Sequence, residues 1–176
     1  MSFGAKTGDA EMTIFCFYVI ITTKTEGGDD MRILFCDDDS NILAQLQGYV
    51  AEYFQCIGGK EPEYAAYNSG EELLKKERKA DIAFLDVEMP GLSGIHVGAE
   101  LKKHNPEIKI FIVTSYPDYL DEAMRFQVFR YLSKPIDKER LFRNLKDAMY
   151  QYNMATKEYN NSKYTCYFNI FKSIHI

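Results

Sequence analysis

The segment IAFLDVEMPGLSG, residues 82–94, runs through four apolar residues to a single carboxylate, Asp86, and enters a Pro-Gly turn four residues later. A short apolar run bounded by turn residues reads as a buried strand. A charge at the end of such a strand is costly unless it is paired or bound to a cation. For a lone aspartate the simplest reading is an ordinary strand end that caps the next turn. The decisive question is whether the rest of the chain supplies partners.

Working outward, the chain alternates. Upstream, MRILFC is a short apolar strand beginning at Met31. Ile42, Leu43, Leu46, Tyr49, Val50, Tyr53 and Phe54 then recur at helical spacing and predict a helix from about Ser40 to Phe54. EYAAY is a second strand. Ser69-Gly70-Glu71-Glu72 is a capping box that opens a short helix. After the strand that ends at Asp86, a third helix is expected over residues 94–104, and Pro106 stops it. KIFIVT is apolar on both faces, as a central parallel strand should be. A helix around residues 119–126, a fifth strand in FRYLS, and a last helix follow. The last helix opens on Asp137 as N-cap, with Leu141, Phe142, Leu145, Met149 and Tyr152 on one face. Five strands alternating with helices predict an α/β fold: a doubly wound parallel sheet with helices on both faces.

The ends are different in character. Residues 1–30 hold an eight-residue apolar run, residues 14–21, where a membrane helix needs about 20. Asp9 and Glu11 sit where a signal peptide would be positive. These residues read as an extension or leader outside the folded unit of residues 31–152. Residues 153–163 are polar and read as a linker, and residues 164–176 as the opening strand of something further, cut short. A formal net charge of -5 with no Lys/Arg-rich run argues against a nucleic-acid surface in this chain. Cys16, Cys36, Cys56 and Cys166 are widely spaced, without a zinc or disulfide pattern, and read as reduced thiols in a cytoplasmic protein. No membrane association is expected.

Function in open parallel sheets sits at the carboxyl ends of the strands. The first strand ends in Asp37, Asp38 and Asp39, the third in Asp86, the fourth in Thr114-Ser115, and the fifth in Ser133-Lys134-Pro135. Each alone has an ordinary reading as a cap, a strand residue or a solvated lysine. Together on one edge they form a constellation. Clustered hard oxygen donors favour Mg²⁺, and a cation relieves the repulsion among carboxylates. Asp86 is then approachable by a phosphoryl group as a carboxylate nucleophile, with Lys134 and Thr114 placed to meet its oxygens.

With those residues in order, the chain resembles the bacterial two-component response-regulator receiver domains over residues 31–152. The resemblance implies a flavodoxin-like five-stranded sheet of order 2-1-3-4-5. It also implies Asp86 as phosphoacceptor, Asp37 and Asp38 as the acidic pair, and the backbone carbonyl of Glu88 as a further Mg²⁺ ligand. Thr114 and Tyr131 would be the switch pair, Lys134 the site lysine, and Lys134-Pro135 a cis peptide. Such a domain is a switch that catalyses its own phosphorylation and dephosphorylation rather than an enzyme acting on other substrates. Its partner is a sensor histidine kinase. Glu88 and Tyr116 lie where the family tunes phosphoryl lifetime. The segment TSYPDYLDEAMRFQVFRYLSKP further resembles receivers joined to LytTR-type DNA-binding domains, so the expected output is transcription, with DNA contacted only through an output domain.

Two other classes compete. A haloacid-dehalogenase-type phosphohydrolase also uses an aspartate after a strand, but wants a second aspartate two residues on, where this chain has Glu88. A receiver fold that only binds proteins has no need of the full set of acids, hydroxyl and lysine. The remaining features have plain readings: His96 and His104 as surface residues, Cys36 as a small core residue. Asp121, Glu122, Arg125, Arg130, Arg143, Lys146 and Asp147 give the helix 4–strand 5–helix 5 face, residues 117–152, a mixed-sign character suited to homodimerisation on activation.

Overall fold

The computed structural model describes residues 30–77, 79–115 and 128–159. In chain order these form β1 (Arg32–Cys36), α1 (Ser40–Cys56), β2 (Glu63–Tyr67), α2 (Gly70–Lys76), β3 (Ile82–Leu85), α3 (Gly94–His104), β4 (Lys109–Thr114), β5 (Arg130–Ser133) and α4 (Lys138–Tyr159). The strands make one sheet of order β2-β1-β3-β4-β5. Every pairing is parallel. This is the sheet order and fold class expected from the sequence.

Alternation along the strands divides the core in two. Ile33, Phe35, Ile82, Phe84, Phe111 and Val113 face α1 and α4, whose Leu43, Leu46, Val50, Leu141 and Leu145 complete that layer. Leu34, Cys36, Ala83, Leu85, Ile110 and Ile112 face α2 and α3, with Leu73, Ile95, Val97 and Leu101. Phe35, Phe84 and Phe111 share one register line. Their rings stack at 5.3 and 4.6 Å between centroids, a continuous aromatic rod across the centre of the sheet.

The helix starts follow local chemistry. Asp39 caps α1, its side chain accepting from the backbone N–H of Asn41 at 2.8 Å. Ser69 caps α2 by accepting from Glu72 N–H at 3.2 Å, one of the two bonds of the expected capping box, while the Glu72 carboxylate accepts from Lys76 at 2.7 Å. Asp137 accepts from Arg140 N–H at 3.0 Å at the start of α4. A second device ties α2 to the far end of β1. Glu77 takes hydrogen bonds from Arg32 at 3.0 and 2.5 Å and from the Tyr67 hydroxyl at 2.6 Å. Burial alone raises the Glu77 pKa, but these donors outweigh it and hold the carboxyl below its ordinary value.

The sequence reading and the fold differ at one place. Helix α4 continues to Tyr159, so residues 153–159 are helical where a linker is expected. The physical reason is the absence of Gly and Pro there, together with the helix formers Met154, Ala155, Lys157 and Glu158. The apolar run in residues 1–30, the helix expected around residues 119–126 and the strand expected after residue 163 lie outside the described residues. Among the described residues no helix is long and apolar enough to cross a membrane.

Phe84 is fully buried and sits between two other rings. Phe84→Ala is expected to lower unfolding free energy by about 3–5 kcal/mol, read from urea titration by far-UV circular dichroism.

Candidate functional site

The parallel register delivers four chain segments to one edge. Cys36 is level with Leu85, and Thr114 with Ser133. The next residues are therefore Asp37, Asp86 and Lys134, each held by one more ladder-like hydrogen bond beyond its strand. Asp86 N–H donates to Cys36 O at 2.8 Å, Asp37 N–H to Tyr67 O at 3.2 Å, and Lys134 N–H to Thr114 O at 2.9 Å. Lys134-Pro135 is cis, as the resemblance implied.

Side-chain oxygens of Asp37, Asp38 and Asp86 lie within 4.8 Å of one another. Asp37 is 1% exposed and Asp86 5%, whereas Asp38 is exposed to solvent. The Lys134 ammonium lies between the buried pair, donating to Asp86 Oδ2 at 2.9 Å and touching Asp37 Oδ2 at 2.8 Å. The Asp37 contact is off the hydrogen-bonding direction, so Asp37 Oδ2 is paired electrostatically without a donor aimed at it. Asp37 Oδ1 accepts from Asp39 N–H at 3.0 Å. Asp86 Oδ1 is buried with no hydrogen-bond donor.

One ammonium cannot neutralise three carboxylates. Burial raises the Asp37 pKa, and Lys134 only partly offsets it. Burial by itself lowers the Lys134 pKa, but Asp37 and Asp86 outweigh it and raise the ammonium's pKa. Burial first, then Asp37 and Asp86, push the Cys36 thiol up to about 12. The thiol is therefore protonated and unreactive at neutral pH, in line with its reading as a core residue. Orphaned carboxylate oxygens with surplus negative charge and an open side at Asp38 fit a hard divalent cation such as Mg²⁺.

The other sequence-selected residues are placed as follows. Asp39, third of the acidic run, is the α1 cap and is absent from the acidic cluster. Glu88 is exposed in the loop after β3. Thr114 is 1% exposed at the end of β4. Tyr131 is half-buried on β5, level with Ile112 and packed on the layer facing α2 and α3. Tyr116, Asp121, Glu122 and Arg125 lie outside the described residues. Arg130 and Asp147, expected to be available on one face, already pair with each other at 3.0 Å.

One residue that positions the site was not anticipated. Gly94 opens α3 against the Asp86 backbone, where a Cβ would fall 2.0 Å from Asp86 O. Only glycine permits that approach. The available signal was a glycine placed directly after an N-cap serine, where a better helix former would otherwise stand.

The family model of the response regulator receiver domain matches residues 33–146. The chain belongs to that family. Among curated relatives, an uncharacterised response regulatory protein of Vibrio cholerae is 34% identical over 127 residues, which cover 69% of this chain and 50% of that protein. The positive alginate biosynthesis regulatory protein of Pseudomonas aeruginosa is 33% identical over 119 residues, covering 67% and 47%. The receiver thus spans about half the length of these two relatives, and 27% of a ZraR transcriptional regulator of Klebsiella oxytoca. Among solved structures, response regulator TrrA of Thermotoga maritima, in complex with Mg²⁺-BeF, is 30% identical with a TM-score of 0.57, covering 67% of this chain and 98% of that one. A CheY-like receiver from Methanospirillum hungatei, 22% identical, has a TM-score of 0.61 over 72% and 99%, which supports the fold.

The raised Asp37 pKa gives the receiver a testable pH dependence. A carboxyl that binds its proton more tightly in the folded state costs stability once pH rises above its unfolded value of 3.8. Asp37→Asn is therefore expected to raise the melting temperature at pH 7, with a gain that shrinks towards zero as pH falls to 3.8. Thermal melts of both proteins across that range check it.

Proposed function

We propose that this receiver is a phosphorylation-controlled switch whose acceptor is Asp86. The observation that carries the reading is the convergence of Asp37, Asp38 and Asp86 oxygens within 4.8 Å, with the Lys134 ammonium against the two buried ones. The donor is the phosphohistidine of a sensor histidine kinase. An Asp86 carboxylate oxygen attacks phosphorus, the new P–O bond forms as the P–N bond to imidazole breaks, and the imidazole leaves with its electron pair and takes up a proton. The product is an acyl phosphate, later hydrolysed by water to regenerate the carboxylate.

Asp37, Asp38, Asp86 and the Glu88 backbone carbonyl would hold Mg²⁺, which supplies charge neutralisation for the incoming phosphoryl oxygens. Lys134 transfers its hydrogen bond from Asp86 to a phosphoryl oxygen, so the ammonium stays paired throughout. The Thr114 hydroxyl donates to another oxygen, and Tyr131 occupies the space that Thr114 leaves. That small repacking biases the surface of β5 and α4.

The output is proposed to be transcription through a LytTR-type DNA-binding domain. Supporting this are the segment quoted above and 36% identity over 70 residues, 40% of this chain, to the sensory transduction protein LytT of Bacillus subtilis. The activated surface is proposed to pair two copies. It carries the exposed Tyr150 and Met154 on α4, and Tyr150 lines a cavity together with Arg130, Lys146 and Asp147.

With Mg²⁺ and acetyl phosphate the chain is expected to gain one hydroxylamine-labile phosphoryl group, by intact mass. Asp86→Asn abolishes it, and labelling retained in that variant overturns the assignment. In sedimentation at micromolar concentration, beryllofluoride with Mg²⁺ is expected to convert a monomer to a dimer. An unchanged monomer removes the dimer and leaves the acceptor assignment standing.

A further inference from the structure

The loop between β3 and α3 carries Glu88, and three contacts hold it. The Asp86 backbone is pinned at its start, between Cys36 O and the opening residue of α3, Gly94. Met89 is buried and its sulfur receives the Cys36 thiol at 3.5 Å. At the far end the anchor comes from a different element. Glu71, in the first turn of α2, reaches across with Oε1 to accept the Leu92 backbone N–H at 2.9 Å. The fit is close, because Gly91 adopts a φ of +87° directly beneath that carboxylate, and a Cβ on Gly91 would lie 2.1 Å from Glu71 Oε1. The turn conformation and the carboxylate are therefore matched to one another. Glu71 does no capping work of its own, since Ser69 caps α2.

We infer that Glu71 is a positioning residue for the metal site: by clamping Leu92 it fixes the loop that presents the Glu88 carbonyl. The inference rests on the reading of Asp37, Asp38 and Asp86 as a Mg²⁺ centre. Glu88 follows the pinned Asp86 by two residues, and its carbonyl belongs to the peptide shared with Met89, which is held through its side chain, so the orientation of that peptide follows the far half of the loop. The Glu71 contact closes the remaining end of the loop, so releasing it frees residues 90–93 to shift and leaves the carbonyl poorly placed. The carboxylates remain where the strands put them. Loss of such an outer support typically weakens metal binding by about tenfold or more.

The charge of Glu71 gives a second route of influence, since it adds to the negative field felt at the Cys36 thiol. Three substitutions separate the two. Glu71→Gln keeps an acceptor oxygen at the same reach and removes the charge. Glu71→Asp keeps the charge and is one methylene too short. Glu71→Ala removes both. If position is what matters, Gln resembles the native residue and Asp resembles Ala.

The test is calorimetric titration of the full chain with Mg²⁺ alone, followed by acetyl phosphate labelling rates at limiting and saturating Mg²⁺. Asp38→Ala serves as the control for the centre itself. The expected result is a Mg²⁺ Kd raised about tenfold in Glu71→Ala and Glu71→Asp, and close to native in Glu71→Gln. Labelling should be slowed at limiting Mg²⁺ and return to within about twofold of native at saturation. Native affinity in both Ala and Asp variants, with Asp38→Ala weakened, overturns the role of Glu71 and leaves the metal centre intact. Gln behaving like Ala overturns it as well, in favour of charge. If Asp38→Ala also binds Mg²⁺ as the native chain does, the centre itself is wrong and the inference falls with it. Should Glu71→Ala fail to fold, the comparison of Gln with Asp decides alone.

Discussion

The structure depends on one shared cation. Two carboxylates, Asp37 and Asp86, are all but sealed from solvent, and each would be expensive to bury alone. The Lys134 ammonium between them makes the arrangement tolerable. Removing the ammonium would leave two buried carboxylates uncompensated, which costs far more than the pairing contributes to stability. The pairing in turn demands a topology. Asp37, Asp86 and Lys134 are far apart in sequence, and they meet only because β1, β3, β4 and β5 run parallel and end on the same edge.

The compensation is incomplete. Asp86 Oδ1 has no donor, Asp37 Oδ2 has only an off-line contact, and Asp38 adds charge from the solvent side. A scaffold optimised for stability alone would fill these positions with apolar side chains of similar volume. The sheet below them is packed with stacked phenylalanines and needs no such polar insertion. The natural account of the imbalance is a ligand of opposite sign, with stability conceded locally for a site that accepts it.

Much of this was legible in the sequence because strand ends in a parallel sheet are forced together. With the apolar runs at residues 31–36, 82–85 and 109–114 as strands, Asp37, Asp86 and Thr114 have nowhere else to be. Helix α3 and the caps Ser69 and Asp137 followed from local chemistry that does not depend on the rest of the fold. What escaped was non-local and small in signal. Three consecutive aspartates look alike in sequence, yet the Asp39 side chain turns away to cap α1, accepting from Asn41 N–H, while its own N–H donates back to Asp37 Oδ1. Helix α4 runs past Tyr152 because nothing in residues 153–159 breaks it, and polarity alone does not end a helix. Glu71 reads as an ordinary acidic residue in a first turn. Its reach to Leu92, 21 positions on, is set by how α2 packs beside the β3–α3 loop.

The placement of Lys134 offers the proposed switch a route from the buried edge to the surface. Its side chain lies among the carboxylates, while its backbone N–H is bonded to Thr114 O at the end of β4. Thr114 is level with Ser133, and Tyr131 lies two residues before Ser133 on the same strand. On the proposed reading, a phosphoryl group on Asp86 draws the Lys134 ammonium and the Thr114 hydroxyl towards its oxygens at the same time. Those two residues are already joined through the backbone, so their movements cannot be independent. The hydrogen-bonded pair β4–β5 would then shift together, carrying Tyr131 and Arg130 with it. Arg130 is bonded to Asp147 on α4, so on the same reading a change at the buried edge would reach the outer helix through two bonded contacts. A charge added elsewhere on the edge, at Asp38 for example, would lack the link through Lys134 to β4–β5, and on the proposed reading this favours the buried Asp86 over the exposed Asp38 as the point of control.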